Sequence, residues 1–251
     1  MHPLEIRERA IAMHAANVPF RQIWQTLGLP KHTVGNWLYG ERARRHRERQ
    51  LDERCPRCAD PPRSPDAPAA YAYLLGQYLG DSHVVHARRT MLLAVYCDNK
   101  YPGIIAEIGA AMRECGARSV YHRAKIGCTA VSTHWNHWPC LLPQHGPGPK
   151  HARRIELTAW QQPIVDTHAE AFIRGLIHSD GCRFTNRVTV SGRTYEYPRY
   201  MFTNESVDIM NMCGRSLNRL GIDWRMSRRN TLSVAKRAAV ARLDEFVGPK
   251  S

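Results

Sequence analysis

The sequence predicts an α+β chain: two copies of a mixed α/β unit, αββαββα, with antiparallel sheets, preceded by a small all-α domain. Three observations lead there. Segments in the second half repeat segments in the first, in the same order and at offsets of 99 to 105 positions. Between those anchors, apolar and polar residues alternate with period two over strand-length runs. Ahead of them, the first forty or so residues instead space their apolar side chains as helices do.

Residues 2 to 40 read as three short helices. Leu4, Ile11 and Met13 belong to the first, and Phe20, Ile23, Trp24 and Leu27 lie in or beside the second. Gly28 makes a turn, and Val34, Trp37 and Leu38 form the inner face of the third. This is helix-turn-helix spacing, so the outward Lys31, His32, Thr33 and Asn36 stand where base edges and phosphates are reached. A helical bundle without DNA contact has the same pattern. This domain is assigned residues 1–45.

Arg42 opens a charged run to Arg54 that either follows a phosphate backbone or is a solvated helix face. Residues 46–66 form a basic and proline-rich linker that spaces the domains semi-rigidly. It holds Cys55 and Cys58, at zinc-knuckle spacing but without a second pair nearby. Cys140 and His145 are the distant candidates to complete a structural Zn²⁺ site; otherwise these are loop histidines and buried thiols.

The first repeat is assigned 67–163 and the second 164–251. The first runs as a helix over 67–80, a hairpin, a helix over 102–115 and a hairpin over 119–132. The second runs as a helix from near Ile164, a hairpin over 182–202, a helix over 205–219, a hairpin over 223–236 and a helix over 238–246. Asn99 matches Asn204, Gly116 matches Gly221, and Gly148-Pro149-Lys150 recurs as Gly248-Pro249-Lys250. A longer first hairpin around Ser191–Tyr197 accounts for the change of offset. In the strand after Asp180, Arg183, Thr185, Arg187 and Thr189 alternate with Cys182, Phe184, Val188 and Val190. That alternation predicts a groove-reading polar face and an apolar core face. Arg225, Ser227 and Arg229 predict a similar row in the next hairpin.

Each repeat opens on the same device. Gly76 and Gly80 lie four apart and precede Asp81; Gly175 and Ser179 lie four apart and precede Asp180. Small residues at that spacing share a helix face and allow another helix to approach closely. Gly181 is placed as a C′ glycine, and Asp180 then sits at a helix C-terminus, where the macrodipole disfavours a carboxylate. An acid there calls for a positive partner such as a metal ion.

Leu74–Ser82 (LLGQYLGDS) and Ile173–Gly181 (IRGLIHSDG) resemble the nine-residue motif of the LAGLIDADG homing endonucleases, with Ser82 for the last glycine and with Gln77 and His178 for other motif letters. The resemblance covers about residues 67 to 250. It implies paired sheets forming a saddle over double-stranded DNA, and helices packed through their small residues. It implies Asp81 and Asp180 sharing Mg²⁺ (or Mn²⁺), one acid per strand cut. It implies a basic residue near the end of the last strand, where Lys236 stands, with Gln77 and His178 as secondary catalytic candidates. A duplicated chain supplies its own pseudo-two-fold and is expected to act as a monomer. A non-cleaving transcriptional regulator on the same scaffold is the alternative, and an RNA-processing factor a third.

Composition agrees with a polyanionic partner: 36 Lys and Arg, only six of them Lys, against 22 Asp and Glu give a net charge of +14. No signal peptide or membrane-length apolar run is present, so a cytoplasmic protein with mostly reduced cysteines is expected, nucleoid-associated if bacterial.

Overall fold

A computed structural model describes residues 4–38, 65–248 and 250. The chain divides into two compact units, Met1–Arg57 and Cys58–Ser251. In the first, α1 (Leu4–Ala15), α2 (Phe20–Thr26) and a helix α3 over residues 31 to 38 close on Ala10, Ile23, Val34 and Leu38. Gly28, at φ +63°, makes the turn between α2 and α3. Lys31, His32 and Asn36 are exposed and Thr33 is half-buried. Arg42, Cys55 and Cys58 lie outside the described residues, and so therefore does the cysteine pair of the zinc site expected with Cys140 and His145.

The second unit runs α4 (Pro68–Leu79), β1 (Ser82–His86), β2 (Met91–Asp98), α5 (Pro102–Glu114), β3 (Tyr121–Ala124), β4 (Cys128–His134) and α6 (Trp138–Leu141), then crosses over. After α7 (Gln161–Thr167) come α8 (Ala169–Asp180), β5 (Gly181–Val190), β6 (Arg193–Thr203), α9 (Val207–Arg219), β7 (Arg225–Arg228), β8 (Thr231–Val234) and α10 (Arg237–Phe246). Both sheets are antiparallel and share one strand order, β1-β2-β4-β3 and β5-β6-β8-β7. The duplication is thus a duplication of topology. One helix differs from expectation: the stretch from near Ile164 breaks at His168 (φ −113°, ψ 43°), so α7 and α8 are separate.

The two motif helices, α4 and α8, form the axis. A β-carbon added at Gly76 would lie 2.5 Å from the Phe172 carbonyl oxygen and 2.8 Å from the Leu176 nitrogen. One at Gly175 would collide with the Tyr73 carbonyl oxygen. The backbones therefore touch where only hydrogen fits between them. Tyr71, Leu74, Leu75, Tyr78, Phe172, Ile173 and Leu176 spread from this seam into one apolar core. The sheets cover it with Leu93, Val95, Val131, Tyr200, Phe202, Leu232 and Val234.

Gly181 departs from the expected left-handed cap. It is extended (φ −102°, ψ 169°) and opens β5; its hydrogen is required because a β-carbon would lie 2.7 Å from Ile177 Cα. At the tip of the β5–β6 hairpin, Ser191 and Gly192 take φ of 49° and 75°, the paired positive values of a type I′ turn.

Candidate functional site

Asp81 follows Gly80, the C-cap of α4, and Asp180 is the last residue of α8. The small-residue seam carries these ends together. A β-carbon on Gly80 would strike Ser179 Oγ and lie 3.1 Å from the Asp180 carboxyl carbon, so glycine lets that carboxylate lie against the first helix end. Asp81 is exposed and Asp180 half-buried. Burial, then the charge of Asp81, pushes the Asp180 pKa up to about 6, against hydrogen bonding from Asn204. Asn204 Nδ2 donates to Asp180 Oδ2 at 2.6 Å.

The two helix ends are unequal here. Asn99, the repeat match of Asn204, accepts from Thr129 Oγ1 (2.7 Å) and donates to the Lys125 carbonyl (3.5 Å) instead.

Each helix end also holds a lysine. Lys150 Nζ donates to the carbonyls of Gly80 (2.6 Å) and Ser82 (2.7 Å), and Lys250 Nζ to that of Ser179 (3.4 Å). Terminal carbonyls without helical partners are natural acceptors for a cation. Burial brings the Lys150 pKa down to about 8, while Asp180 and Asp81 pull it upward. Lys250 is lowered too, by burial above all, against Cys182, Cys97, Asp81 and Asp180. These lysines end the recurring Gly-Pro-Lys, an anchor of the repeat whose spacing does not itself point to the helix ends.

Lys236, expected in this place, is elsewhere: largely exposed at the start of α10, it pairs with Asp223 at 3.1 Å. Gln77 and His178 are also displaced from the chemistry, because both are buried among core side chains. Gln77 Nε2 donates to Tyr73 Oη (2.9 Å), which lies 3.2 Å from His178 Nδ1. His178 Nε2 reaches the Val247 carbonyl at 3.2 Å. Burial, then Arg174, pushes the His178 pKa down to about 4, so the ring is neutral and its 3.7 Å approach to Glu107 is no ion pair at neutral pH.

The predicted arginine row lies on the opposite face from the one expected. Register pairs Arg183 with Tyr200, Thr185 with Pro198, Arg187 with Glu196 and Thr189 with Thr194, on the side that buries Tyr200 and Phe202 against the helices. Arg183 is bound through Nε to Asp244 of α10 at 2.7 Å, and Arg187 to Glu196 at 2.8 Å. Phe184, Val188 and Val190, expected in the core, are 38, 39 and 55% exposed. They lie on the face opposite Tyr200 and Phe202, turned from the helices, and beyond Tyr200 β6 no longer pairs with β8, so the outer hairpin is a two-stranded ribbon.

The face turned from the helices instead carries Asn186, Arg193, Tyr195, Tyr197 and Arg199, with Arg225 and Arg228 beside them on β7. A register shift between Met226 and Arg228 puts Arg228, in place of Ser227 and Arg229, on this face. Ser227 Oγ donates to the Thr231 carbonyl, and Arg229 pairs with Glu205 at 2.8 Å. Among the described residues, Arg193, Arg199, Arg225 and Arg228 have no carboxylate partner. In the first sheet the corresponding face holds His83, Tyr96, Tyr121, Arg123 and His134.

Among the described residues no group of three or more His, Cys, Asp and Glu is placed to hold a metal ion. No described helix is long and apolar enough to cross a membrane. A cavity of about 550 Å³ between α7 and α9 is lined by none of these groups.

Neither a protein-family model nor a curated protein matches the chain. Among solved structures it is similar to the LAGLIDADG meganuclease I-AabMI bound to uncleaved DNA (TM-score 0.47, 10% identity, 70% of this chain and 82% of that one). It is also similar to I-DmoI in complex with DNA and Ca (0.46, 14%, 72% and 90%). A third is the homing endonuclease I-WcaI bound to its DNA recognition sequence (0.45, 14%, 75% and 84%).

Proposed function

We propose that this protein is a divalent-metal-dependent DNA endonuclease that binds duplex DNA as a monomer and cuts both strands. The observation that carries the reading is the pair of carboxylates, Asp81 and Asp180, brought together at the ends of two helices in glycine contact, with a lysine on each end. The donor set suits Mg²⁺ or Mn²⁺. Two carboxylates whose proximity and burial raise a pKa repel one another, and a divalent cation between them relieves that repulsion. Magnesium is commonly held by one or two carboxylates, with waters and substrate phosphates completing its shell, so two donors suffice. When bound, the metal supplies an activated water and neutralises the leaving oxygen.

The protein's own groups do the rest. Asn204 orients Asp180, while Lys150 and Lys250 keep positive charge where a scissile phosphate arrives. The unpaired arginines turned from the helices take the duplex backbone and base edges. Lys31, His32, Thr33 and Asn36 give the N-terminal unit a second DNA contact. The substrate suits a cytoplasmic location, nucleoid-associated if bacterial. The helix-turn-helix order of that unit also favours a second reading, a regulator that binds and does not cut.

The test is to select a duplex site from random DNA, then incubate it with protein and Mg²⁺ or Mn²⁺. Two staggered nicks are expected from the wild type. Asp81→Asn and Asp180→Asn should bind as well or better and cut at least a hundredfold more slowly. Tight binding without nicking under either metal would sink the nuclease and leave the regulator.

A further inference from the structure

The second motif helix carries a polar seam that the first lacks. Where α4 has Leu75 and Leu79, both buried, α8 has Arg174 and His178 at the matching motif positions. Four apart, these two share one helix face. On α5 of the first repeat stands Glu107; its repeat match on α9, 105 positions on, is Met212. Arg174 meets Glu107 as a fork on a carboxylate, through Nε at 2.6 Å and Nη2 at 2.8 Å.

The third guanidinium nitrogen faces the other way. Arg174 Nη1 donates to the carbonyls of Phe246 (2.7 Å) and Val247 (2.6 Å), and His178 Nε2 lies 3.2 Å from the latter. Phe246 ends α10 and Val247 is its C-cap, so these carbonyls have no helical partners and sit at the negative end of the dipole. A guanidinium fixed by Glu107 therefore caps α10 from outside. Directly after the capped residues Gly248 turns left-handed (φ +68°), and a β-carbon there would lie 4.0 Å from Arg174 Nη1. Two residues on, Lys250 Nζ reaches the Ser179 carbonyl at the end of α8 and lies 5.7 Å over the ring of Tyr101. Tyr101 is the N-cap of α5, the helix that carries Glu107. One helix of the first repeat thus holds both the base of the turn and the lysine beyond it.

We propose that Glu107 and Arg174 are positioning residues: through the Phe246 and Val247 carbonyls they fix the turn at Gly248 that delivers Lys250 to the Asp180 end of the site. The first repeat thereby governs a charge that the second repeat uses. Lys150 is held instead by the Gly80 and Ser82 carbonyls, and serves as an internal control. This role deepens the nuclease reading above and rests on it.

The test is the double variant Glu107→Met/Arg174→Leu in the full chain, beside Lys250→Met. It copies the apolar residues at the matching places, Met212 and Leu75, so the clamp is lost without stranding a half-buried charge. Each strand's nicking in the selected duplex is timed separately under Mg²⁺. Both variants should slow the same strand by about tenfold or more, and leave the other strand and the metal-free affinity within about twofold. A merely structural loss would slow both strands together. In parallel, amines are acetylated with an N-hydroxysuccinimide ester, and Lys250 and Lys150 are followed by peptide mass spectrometry. Lys250 should react about fivefold faster in the double variant, with Lys150 unchanged. Acetylation of Lys250 at the wild-type rate, or slowing that is equal on both strands or absent, would overturn the proposal. Wild type that cuts neither strand would sink the nuclease reading instead, and the acetylation rates alone would then decide whether the clamp places Lys250.

Discussion

Burial and the charge of Asp81 raise Asp180 to about 6, whereas an aspartate in the unfolded chain titrates near 4. Between those values the folded state binds more protons than the unfolded one, so stability falls as pH rises through this window. The penalty is complete above about pH 6 and absent below the unfolded value. Asp180→Asn should therefore unfold a few degrees higher than wild type at pH 8 and show no such gain at pH 4. Mg²⁺ should raise the melting temperature of the wild type at pH 8 and leave Asp180→Asn unmoved, and cutting should fade as pH drops below about 6. A variant no more stable than wild type at pH 8, measured by thermal melts, would contradict the raised carboxylate. The acids were legible in the sequence because each ends a short apolar stretch with small residues at fixed spacing. Lys150 and Lys250 were not, because each reaches its helix end from a distant loop or tail, and that path is set by tertiary packing. Lys236, nearer the expected strand end, found an acid of its own in Asp223.

At the scale of elements, the α4–α8 seam is the firmest inference from sequence, since a residue without a side chain recurring every four positions has few other uses in a helix. Its energetics follow from contact with backbone, which cannot swing aside as a side chain can. Gly175→Leu should cost more than the 1–3 kcal/mol typical of an overpacked core and yield protein that is largely unfolded or insoluble. Gly192→Ala, in the open hairpin turn at positive φ, should be far milder, about 1 kcal/mol. Denaturant titrations of both compare them directly; a folded, DNA-binding Gly175→Leu would refute the close packing. Alternation on β5 was equally visible, but period two states only that two faces differ. Which one meets the helices was decided by Tyr200 and Phe202 across the ladder and by Asp244 on α10, residues 17 or more positions beyond Arg183. The apolar row of β5 therefore lies on the face turned from the helices, where there is no core to enter.

Across the whole molecule, the count of 36 Lys and Arg overstates what DNA can use, because several of these cations are already paired with acids within the fold. Free and paired arginines make separable contributions to salt dependence. Each cation that neutralises a phosphate releases counterion, and the slope of log affinity against log salt is about −0.9 per contact. If Arg123, Lys125, Arg193, Arg199, Arg225 and Arg228 all neutralise phosphates, the slope should be near −5, and affinity should fall about a thousandfold between 50 and 200 mM salt. Replacing Arg193 and Arg228 by Gln should flatten that slope by about 2. Replacing Arg183 and Arg187 by Gln removes the same formal charge from the opposite face, where Asp244 and Glu196 hold it, and should leave the slope unchanged. Fluorescence-anisotropy titrations of both double variants over several salt concentrations decide between the faces. Equal flattening by the two pairs would mean that only net charge matters, and a nearly flat wild-type line would mean that the basic charge is not engaged with nucleic acid at all.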